Sequence, residues 1–546
     1  MGWDGMSMDV ETRVGQILAL YSGPDTDVAR LLCDRHPDED VALVVVAQDL
    51  SATTVTYGEL AESSRRFAAV LRSRGVRPGE RVATLMGKGA DLVTVILGIW
   101  RAGAVYVPLF TAFAEGTIAA RLQGAAAKVL VADREQLFKV PDGSWQVLVS
   151  GGAPGAPGVD SLDHALAHAP LDPRESVAVG GDGPLVHMFT SGTTSAPKGV
   201  VHPVRYAAGW HSYLEFGLGI GEDSVFWCGA DPGWAYGLYT AIVAPLAAGI
   251  PTILAVGGFT AEATWAVLEK LGVTDYTAAP TVYRSLLAAD HLRPANLTLR
   301  RLSSAGEPLT PEVNEWASTA LGLLVHDHFG QTELGMPIGF PHHPDLEVPV
   351  AAGAMGVALP GWTMTVLRDD APAEMGETGR LAVVVGQSPL MTFTGYAGDR
   401  GDSGKFVTDG TYFVTGDLAS IDASGVLRFS SRDDDVIIMA GYRIGPFDVE
   451  SVLLQHPSVA ECAVIAAPDP MRGEVIEAFV VPAGDVCTDD RLINELQQWV
   501  KTRYAAHAYP RRIHFIDRLP KTASGKIQRA QLRRQRQAGA TPAGTS

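Results

Sequence analysis

Between residues 56 and 110 the apolar positions switch between helical and extended spacing. Leu60, Ser64, Phe67, Ala68 and Leu71 fall on one helical face, and Gly75 follows as a C-terminal stop. Arg81 to Met86 reads as a short strand, Leu92 to Trp100 as an apolar helix, and Val105 to Pro108 as another strand. This alternation, which continues past residue 300, predicts a parallel or mixed sheet with helices on its faces. Val325 to Glu333 reads as a strand running into a polar loop, where open α/β sheets gather ligand-binding residues.

Beyond Arg432 the texture changes. A helix from Asp448 to Gln455 is expected, then strands at Cys462–Ala466 and Val475–Val481. A helix from Asp489 to Tyr504 and a strand at Arg512–Ile516 complete a small α+β unit. The chain therefore divides into a large α/β unit of layered sheets and helices, 1–432, a small α+β unit, 433–536, and a tail, 537–546. The tail is rich in Ala, Gly, Thr and Pro, and disorder is expected there. The longest apolar stretch, Ala241 to Gly258, is broken by Pro245, Gly249 and Pro251 and reads as buried sheet and loop, not a membrane span.

A length of 546 residues exceeds what one compact core serves. The net charge of −18, from 43 basic and 61 acidic side chains, speaks against nucleic acid as the main partner, since a duplex binder needs a basic face. Anionic small ligands must then be held locally by backbone N–H groups and a few cations. Cys33, Cys228, Cys462 and Cys487 are scattered without a Cys-x-x-Cys pair, which fits a reducing cytoplasm and neither a disulfide framework nor a zinc site. His342-His343 lacks flanking metal ligands and reads as loop. No signal peptide is expected from the acidic start, and Met6 breaks a myristoylation motif.

The segment most charged with chemistry is Thr190-Ser191-Gly192-Thr193-Thr194-Ser195-Ala196-Pro197-Lys198-Gly199, directly after the apolar run Leu185 to Phe189. Small residues let the backbone approach a phosphate, hydroxyls and N–H groups donate to its oxygens, and Lys198 adds a cation. A Walker loop cannot be fitted to it. Taken alone, the segment also reads as a surface turn.

This segment resembles the phosphate loop of the adenylate-forming superfamily, which includes acyl-CoA synthetases, peptide-synthetase adenylation domains and firefly luciferase. Ser195 and Ala196 stand where that pattern has Gly and Lys. Further blocks follow in the family's order. Ala305-Gly306-Glu307-Pro308 resembles the segment stacking along adenine, and Phe329-Gly330-Gln331-Thr332-Glu333 resembles the aromatic-Gly-x-Thr-Glu block. The resemblance implies that Asp327 accepts from the adenine amino group, Thr332 touches the α-phosphate and Glu333 holds Mg²⁺. Thr415-Gly416-Asp417 matches the ribose block, with Asp417 accepting both hydroxyls. Arg432-Asp433-Asp434-Asp435 resembles the domain junction, with Arg432 near the ribose and Asp434 at the hinge. Gly441-Tyr442-Arg443 matches the turn that meets CoA, and Arg443 is grouped with the catalytic residues. Pro520 to Ile527 resembles the loop that delivers the catalytic lysine, Lys526. By itself each block has a plain reading: a solvated turn at Arg432, a helix cap at Asp417, a surface cation at Lys526.

The resemblance implies an ATP-dependent acid–CoA ligase with a small mobile C-terminal domain. Attack of a carboxylate on the α-phosphate brings two anions together, so the site must supply charge, through Mg²⁺ on Glu333 and through Lys526. Rotation about the hinge then exchanges Lys526 for the Gly441 turn. Trp234, Ala235 and Tyr236 lie in a block resembling the Gly-Trp segment of short- and medium-chain synthetases, and are expected to line the acyl pocket with Gly330. Acetate-specific relatives block the pocket with Trp at the Gly330 position, so a longer or bulkier chain is expected to enter here, with Tyr236 refilling part of the space. A short-to-medium or branched acid is expected, with an aromatic acid as the alternative. A carrier-protein thiol, a non-thiol acceptor and a catalytically inactive nucleotide-binding regulator are rival readings, and monomer and homodimer both stay open.

Overall fold

The computed structural model describes residues 9–151, 159–170, 176–190, 198–398, 404–432, 435–439, 442–469, 473–484, 486–505, 508–521 and 527–539. Two parallel-rich sheets form the centre of the large unit. In the first, of nine strands, Val41–Val46, Thr252–Ala255, Phe226–Cys228, Asp275–Ala278, Arg301–Ala305 and Val325–Gln331 run parallel side by side. The antiparallel strands Gly335–Gly339 and Val357–Ala358 extend one edge, and Ala52–Thr56 closes the other. In the second sheet, of seven strands, Arg81–Leu85 sits between Val105–Pro108 and Ala127–Asp133. A third, antiparallel sheet of six strands holds Tyr412–Ile421 and Leu427–Arg432.

The early elements follow the sequence closely. The helix Tyr57–Ser73 starts at a capping box in which Thr56 and Glu59 satisfy each other's backbone N–H, and it buries Leu60, Ser64, Phe67, Ala68 and Leu71. The helix Ala90–Arg101 is apolar on nearly every side and is buried from Leu92 onward. The stretch from Ala241 departs from expectation. Tyr239–Val243 forms a π-turn, Ala244–Ala248 continues as helix, and only Thr252–Ala255 is strand. Pro245 stands directly after the π-turn, in the first turn of Ala244–Ala248, and the helix runs on through it.

Sheet membership changes between Arg432 and Ile437. The fourth sheet carries Ile437–Met439, Tyr442–Ile444, Val459–Asp469, Gly473–Pro482 and Arg512–Phe515, over a core of Val449, Leu453, Val464, Ile476, Val480, Leu496 and Val500. Its helices are Pro446–Leu453, Asp490–Arg503 and Arg529–Gly539, the last reaching three residues into the expected tail. Arg529 donates to both oxygens of Glu450 at 2.7 and 2.8 Å and lies 3.6 Å from Asp435, which Arg533 also pairs. The two units touch where Phe429 meets Phe447, with ring centres 5.7 Å apart, and where Ser430 Oγ lies 3.4 Å from Asp448 Oδ2.

Candidate active site

Thr190 and Lys198 are the two ends of a loop between the antiparallel strands Pro184–Phe189 and Gly199–Pro203. Thr190 N–H donates to Lys198 O at 2.9 Å and closes the neck. Against this neck lies a cavity of about 280 Å³ lined by Gly124, His187, Phe189, Lys198, Gly199, Tyr396 and Ala397. Ser191, Gly192, Thr193 and Thr194 lie outside the described residues, as do Asp434, Gly441, Lys526 and the side chains of Tyr442 and Arg443.

The strand Val325–Gln331 presents alternate residues to two different places. Asp327 and Gln331 work on one side. Asp327 is buried, accepts from Ser304 Oγ at 2.8 Å and from Leu309 N–H at 3.3 Å, and burial pushes its carboxyl up to about 7. Its oxygens thus already hold protein donors, a tie the sequence did not foretell. Gln331 Nε2 donates to Asp417 Oδ2 at 2.6 Å and to Thr415 O at 3.1 Å, while Arg432 Nη1 pairs Asp417 Oδ1 at 3.0 Å. Asp417 and Arg432 face each other across their strands, so the β-register itself makes the pair. Burial raises the Asp417 carboxyl although Arg432 opposes the shift. Gly306, at φ +107°, turns the chain after Ala305 so that Glu307 holds Thr281 N–H at 2.8 Å and Arg284 at 2.9 Å, just before Pro308.

The other side of the strand carries His328 and Gly330. His328 Nε2 faces the Phe340 carbonyl, which only accepts, so Nδ1 is the unprotonated nitrogen and takes the Tyr213 hydroxyl at 2.7 Å. Tyr213 therefore accepts from Tyr236 at 3.0 Å, and Tyr236 accepts from Thr277 at 2.6 Å. The Tyr236 hydroxyl is thus fixed by two groups, Tyr213 and Thr277. Trp234 stands apart from it, packed on Phe110 and Phe113 with ring centres 5.7 and 5.4 Å away, and Ala235 is buried between.

The opening expected beside Gly330 is filled. A Cβ there would run into the Gly335 carbonyl and Met336 Sδ, because the chain doubles back in a tight hairpin between Gln331 and Gly335. Gly330→Trp is therefore expected to lower stability by at least about 1–3 kcal/mol, as overpacking does, and to depress turnover of every acid alike. Melting curves and a chain-length profile check this. A folded variant with a clean shift toward short acids would show that the hairpin yields.

Thr332 is held by its backbone. His202 Nε2 donates to Thr332 O at 2.7 Å and the Tyr206 hydroxyl donates to it at 2.9 Å, while His202 Nδ1 takes the Tyr239 hydroxyl at 2.9 Å. Burial depresses the His202 imidazole to about 3, so it stays neutral and keeps this tautomer. Glu333 Oε1 accepts from the Tyr396 hydroxyl at 2.6 Å, and Lys198 Nζ lies 4.7 Å from the centre of that ring.

AMP-binding enzymes match residues 31–396 as a family, and the C-terminal domain of AMP-binding enzymes matches residues 448–526. The chain belongs to the AMP-binding enzyme family. An acetyl-coenzyme A synthetase of Bacillus subtilis is 35% identical over 489 residues, covering 88% of this chain and 84% of that protein. The crystal structure of an acyl-CoA synthetase from Brucella canis superposes with a TM-score of 0.75 at 41% identity, over 97% of this chain and 99% of that one. A benzoate CoA ligase from Burkholderia xenovorans LB400 gives a TM-score of 0.81 at 29% identity, over 93% and 99%.

For an AMP-binding enzyme the donor set fits its nucleotide. Asp417 and Gln331 offer groups suited to ribose hydroxyls, and Lys198 and Arg432 offer charge for phosphate. No cluster of three or more His, Cys, Asp or Glu suited to a metal occurs among the described residues. Mg²⁺ is commonly bound by one or two carboxylates together with substrate phosphates, and Glu333 is a carboxylate that would suit such a site. Tyr396, Lys405, His202 and Tyr206 were missed by the sequence reading. Each lies between motifs, and its partner is fixed only by folding.

Proposed function

We propose that the protein activates a carboxylic acid as acyl-AMP, releasing pyrophosphate, and then transfers the acyl group to CoA. The observation that carries this reading is the meeting of Gln331 with the hairpin pair Asp417 and Arg432, 86 residues and more further along the chain, beside Glu333 and the Thr190–Lys198 neck. The kinship with acetyl- and acyl-CoA synthetases supports CoA as the acceptor. When bound, Mg²⁺ neutralises phosphate charge as pyrophosphate departs. This chain's residues orient the rest: Asp417 and Gln331 fix the ribose, Thr332 and Lys198 the phosphates, and Arg432 the bridge between them. The Glu307–Pro308 segment lies along the adenine and Phe329 stands by it, with Asp327 toward its amino group. Residues 433–536 act as the lid that brings Lys526 to the first step and the Gly441-Tyr442-Arg443 turn to the second, turning at Asp434.

A short-to-medium aliphatic or branched acid is the favoured substrate. Support comes from the immobilised Tyr236 ring and from Met336 on the Gly330 face, both of which narrow the pocket. The likeness to a benzoate CoA ligase keeps an aromatic acid as the second reading. Screening C2 to C10 and aromatic acids for AMP release, with and without CoA, tests both. CoA-independent turnover with no thioester product would refute CoA as acceptor. No helix among the described residues is long and apolar enough to cross a membrane. The free thiols Cys33, Cys228 and Cys462, all buried, and the exposed Cys487 support a cytoplasmic setting.

His202→Leu removes the imidazole that holds the Thr332 peptide. ATP–pyrophosphate exchange is expected to fall about 10²-fold, the effect of misplacing a reacting contact by about 1 Å. Undiminished exchange in the folded variant would mean that Tyr206 alone positions Thr332.

A further inference from the structure

The cavity of about 280 Å³ against the Thr190–Lys198 neck carries polar groups of its own. His187 lines it from the strand that leads into the neck and is only 7% exposed. Its ring stacks on Phe189, with centres 4.7 Å apart, and forms no hydrogen bond with the described residues, Nε2 being both buried and unpartnered. Gly199 makes room for the ring, since a Cβ there would stand 2.5 Å from Nε2. A buried nitrogen left unbonded is costly unless a ligand meets it. With no bond to fix it, the ring turns about Cβ–Cγ without leaving the stack and brings a nitrogen round to the cavity. The charges around it are positive. Lys198 lines the cavity and lies over the Tyr396 ring. Arg121 stands one turn before Gly124, another lining residue, on the same face of the helix Glu115–Ala125. It is 5% exposed, and its guanidinium meets the Thr117 carbonyl at 3.2 Å and the face of Phe113 at 4.2 Å. Arg81 donates to the carbonyls of Ala125 and Gly79, and its charge acts on His187. None of these three cations pairs with a carboxylate among the described residues, in a chain whose net charge is −18. Such a surplus in an acidic protein calls for an anionic ligand.

We propose that this cavity is a holding site for the pyrophosphate released in the first step, bound by Lys198 and His187 within the field of Arg121 and Arg81. The assignment rests on the reading of the protein as an acid–CoA ligase. In that step a carboxylate oxygen of the acid forms a bond to the α-phosphorus. The α-phosphorus–oxygen bond to the β-phosphate breaks, and pyrophosphate leaves with that electron pair. Tyr396 lines the cavity and holds Glu333, so the cavity adjoins the place where pyrophosphate is set free. A neutral imidazole has one N–H and one bare nitrogen, and pyrophosphate near neutral pH offers both P–O⁻ and P–OH, so either nitrogen finds a partner. The size agrees as well, because pockets for drug-sized ligands run to about 300–1,000 Å³ and this one lies just below them. Pyrophosphate held there is out of line with the α-phosphorus, which suppresses the return attack on the adenylate.

The test is calorimetry on the whole enzyme saturated with AMP, so that pyrophosphate is titrated while the nucleotide's place is filled. His187→Leu is expected to weaken pyrophosphate binding about tenfold or more, the range for a hydrogen bond to a charged group, and to leave AMP affinity unchanged. His187→Gln keeps a donor and an acceptor and is expected to retain most of the pyrophosphate affinity. Inorganic phosphate is expected to bind at least about tenfold more weakly than pyrophosphate, having half the charged groups to offer. Three results would overturn the proposal: unchanged pyrophosphate affinity in His187→Leu, a loss shared equally by pyrophosphate and AMP, or phosphate bound as tightly as pyrophosphate. Failure of the unaltered protein to bind AMP or to exchange ATP with pyrophosphate would instead strike at the functional reading on which the proposal rests.

Discussion

Lys526→Ala is expected to reduce acyl-adenylate formation about 10²–10³-fold or more, the effect of deleting a preorganised electrostatic contact, while thioester formation from supplied adenylate stays near the unaltered rate. The residues flanking the lysine loop give this its structural sense. Lys521 pairs with Ile527 as an isolated antiparallel bridge, and Gln528 N–H donates to Pro520 O at 2.8 Å, so the loop leaves the small unit from a closed neck. Under the proposed lid motion, one orientation of that unit brings the neck to the phosphates and the other withdraws it. Rapid-quench measurement of each half-reaction decides the matter: an equal fall in both, with the variant folded, removes Lys526 from the adenylation step.

Stability is expected to drop steeply in mild acid. His187, His202, His211 and His328 are all buried, and burial depresses their imidazoles to about 4, 3, 3 and 3. Below about pH 6.5 the unfolded chain protonates these four and the native state does not, so each favours unfolding as pH falls. Two carboxyls act the other way. Asp327 and Asp448, raised to about 7 and about 6, take up protons in the native state first and favour folding as pH falls toward 4. For these six groups four less two leaves two net protons, about 3 kcal/mol lost per pH unit between pH 6 and 4.5. The depressed His36, His326 and His342 add to the loss, and the raised Asp133, Asp231 and Asp417 oppose it. Such a slope consumes much of a typical domain's stability within two units. Urea denaturation at half-unit pH intervals measures it, and a flat profile from pH 7 to 5 would mean that the imidazoles protonate in place.

The early helices and strands were legible because their signals are local. Thr56 and Glu59 cap a helix whose apolar face is written in three- and four-residue steps, and the helix after Ala90 is buried on nearly every side. The ribose pair was legible as two motifs, although only the strand register brings Asp417 opposite Arg432. What escaped depends on distant partners. Ala244–Ala248 looked broken because Pro245 reads as a breaker until its place in the first turn is known. Gly330 looked like a missing wall, and the return of the chain through Gly335 and Met336 fills that direction. His342, read as loop, does lie in one, but its ring stacks on His326 with centres 3.7 Å apart, a contact no spacing announces. Lys405 sits in no motif, and nothing in its neighbours foretells that the turn before Tyr412 carries it to Thr415.

Asp435 follows the expected pivot directly, and Arg529 and Arg533 hold it from the helix that begins two residues after the Lys521–Ile527 neck. Under the proposed lid motion, one stiff helix therefore joins the residue after the pivot to the base of the lysine loop and carries a turn from the first to the second. The terminal helix works as a torsion bar. A chain cut before Arg529 would keep the loop residues through Gln528 but leave them on a loose tether, deaf to the angle set at the pivot.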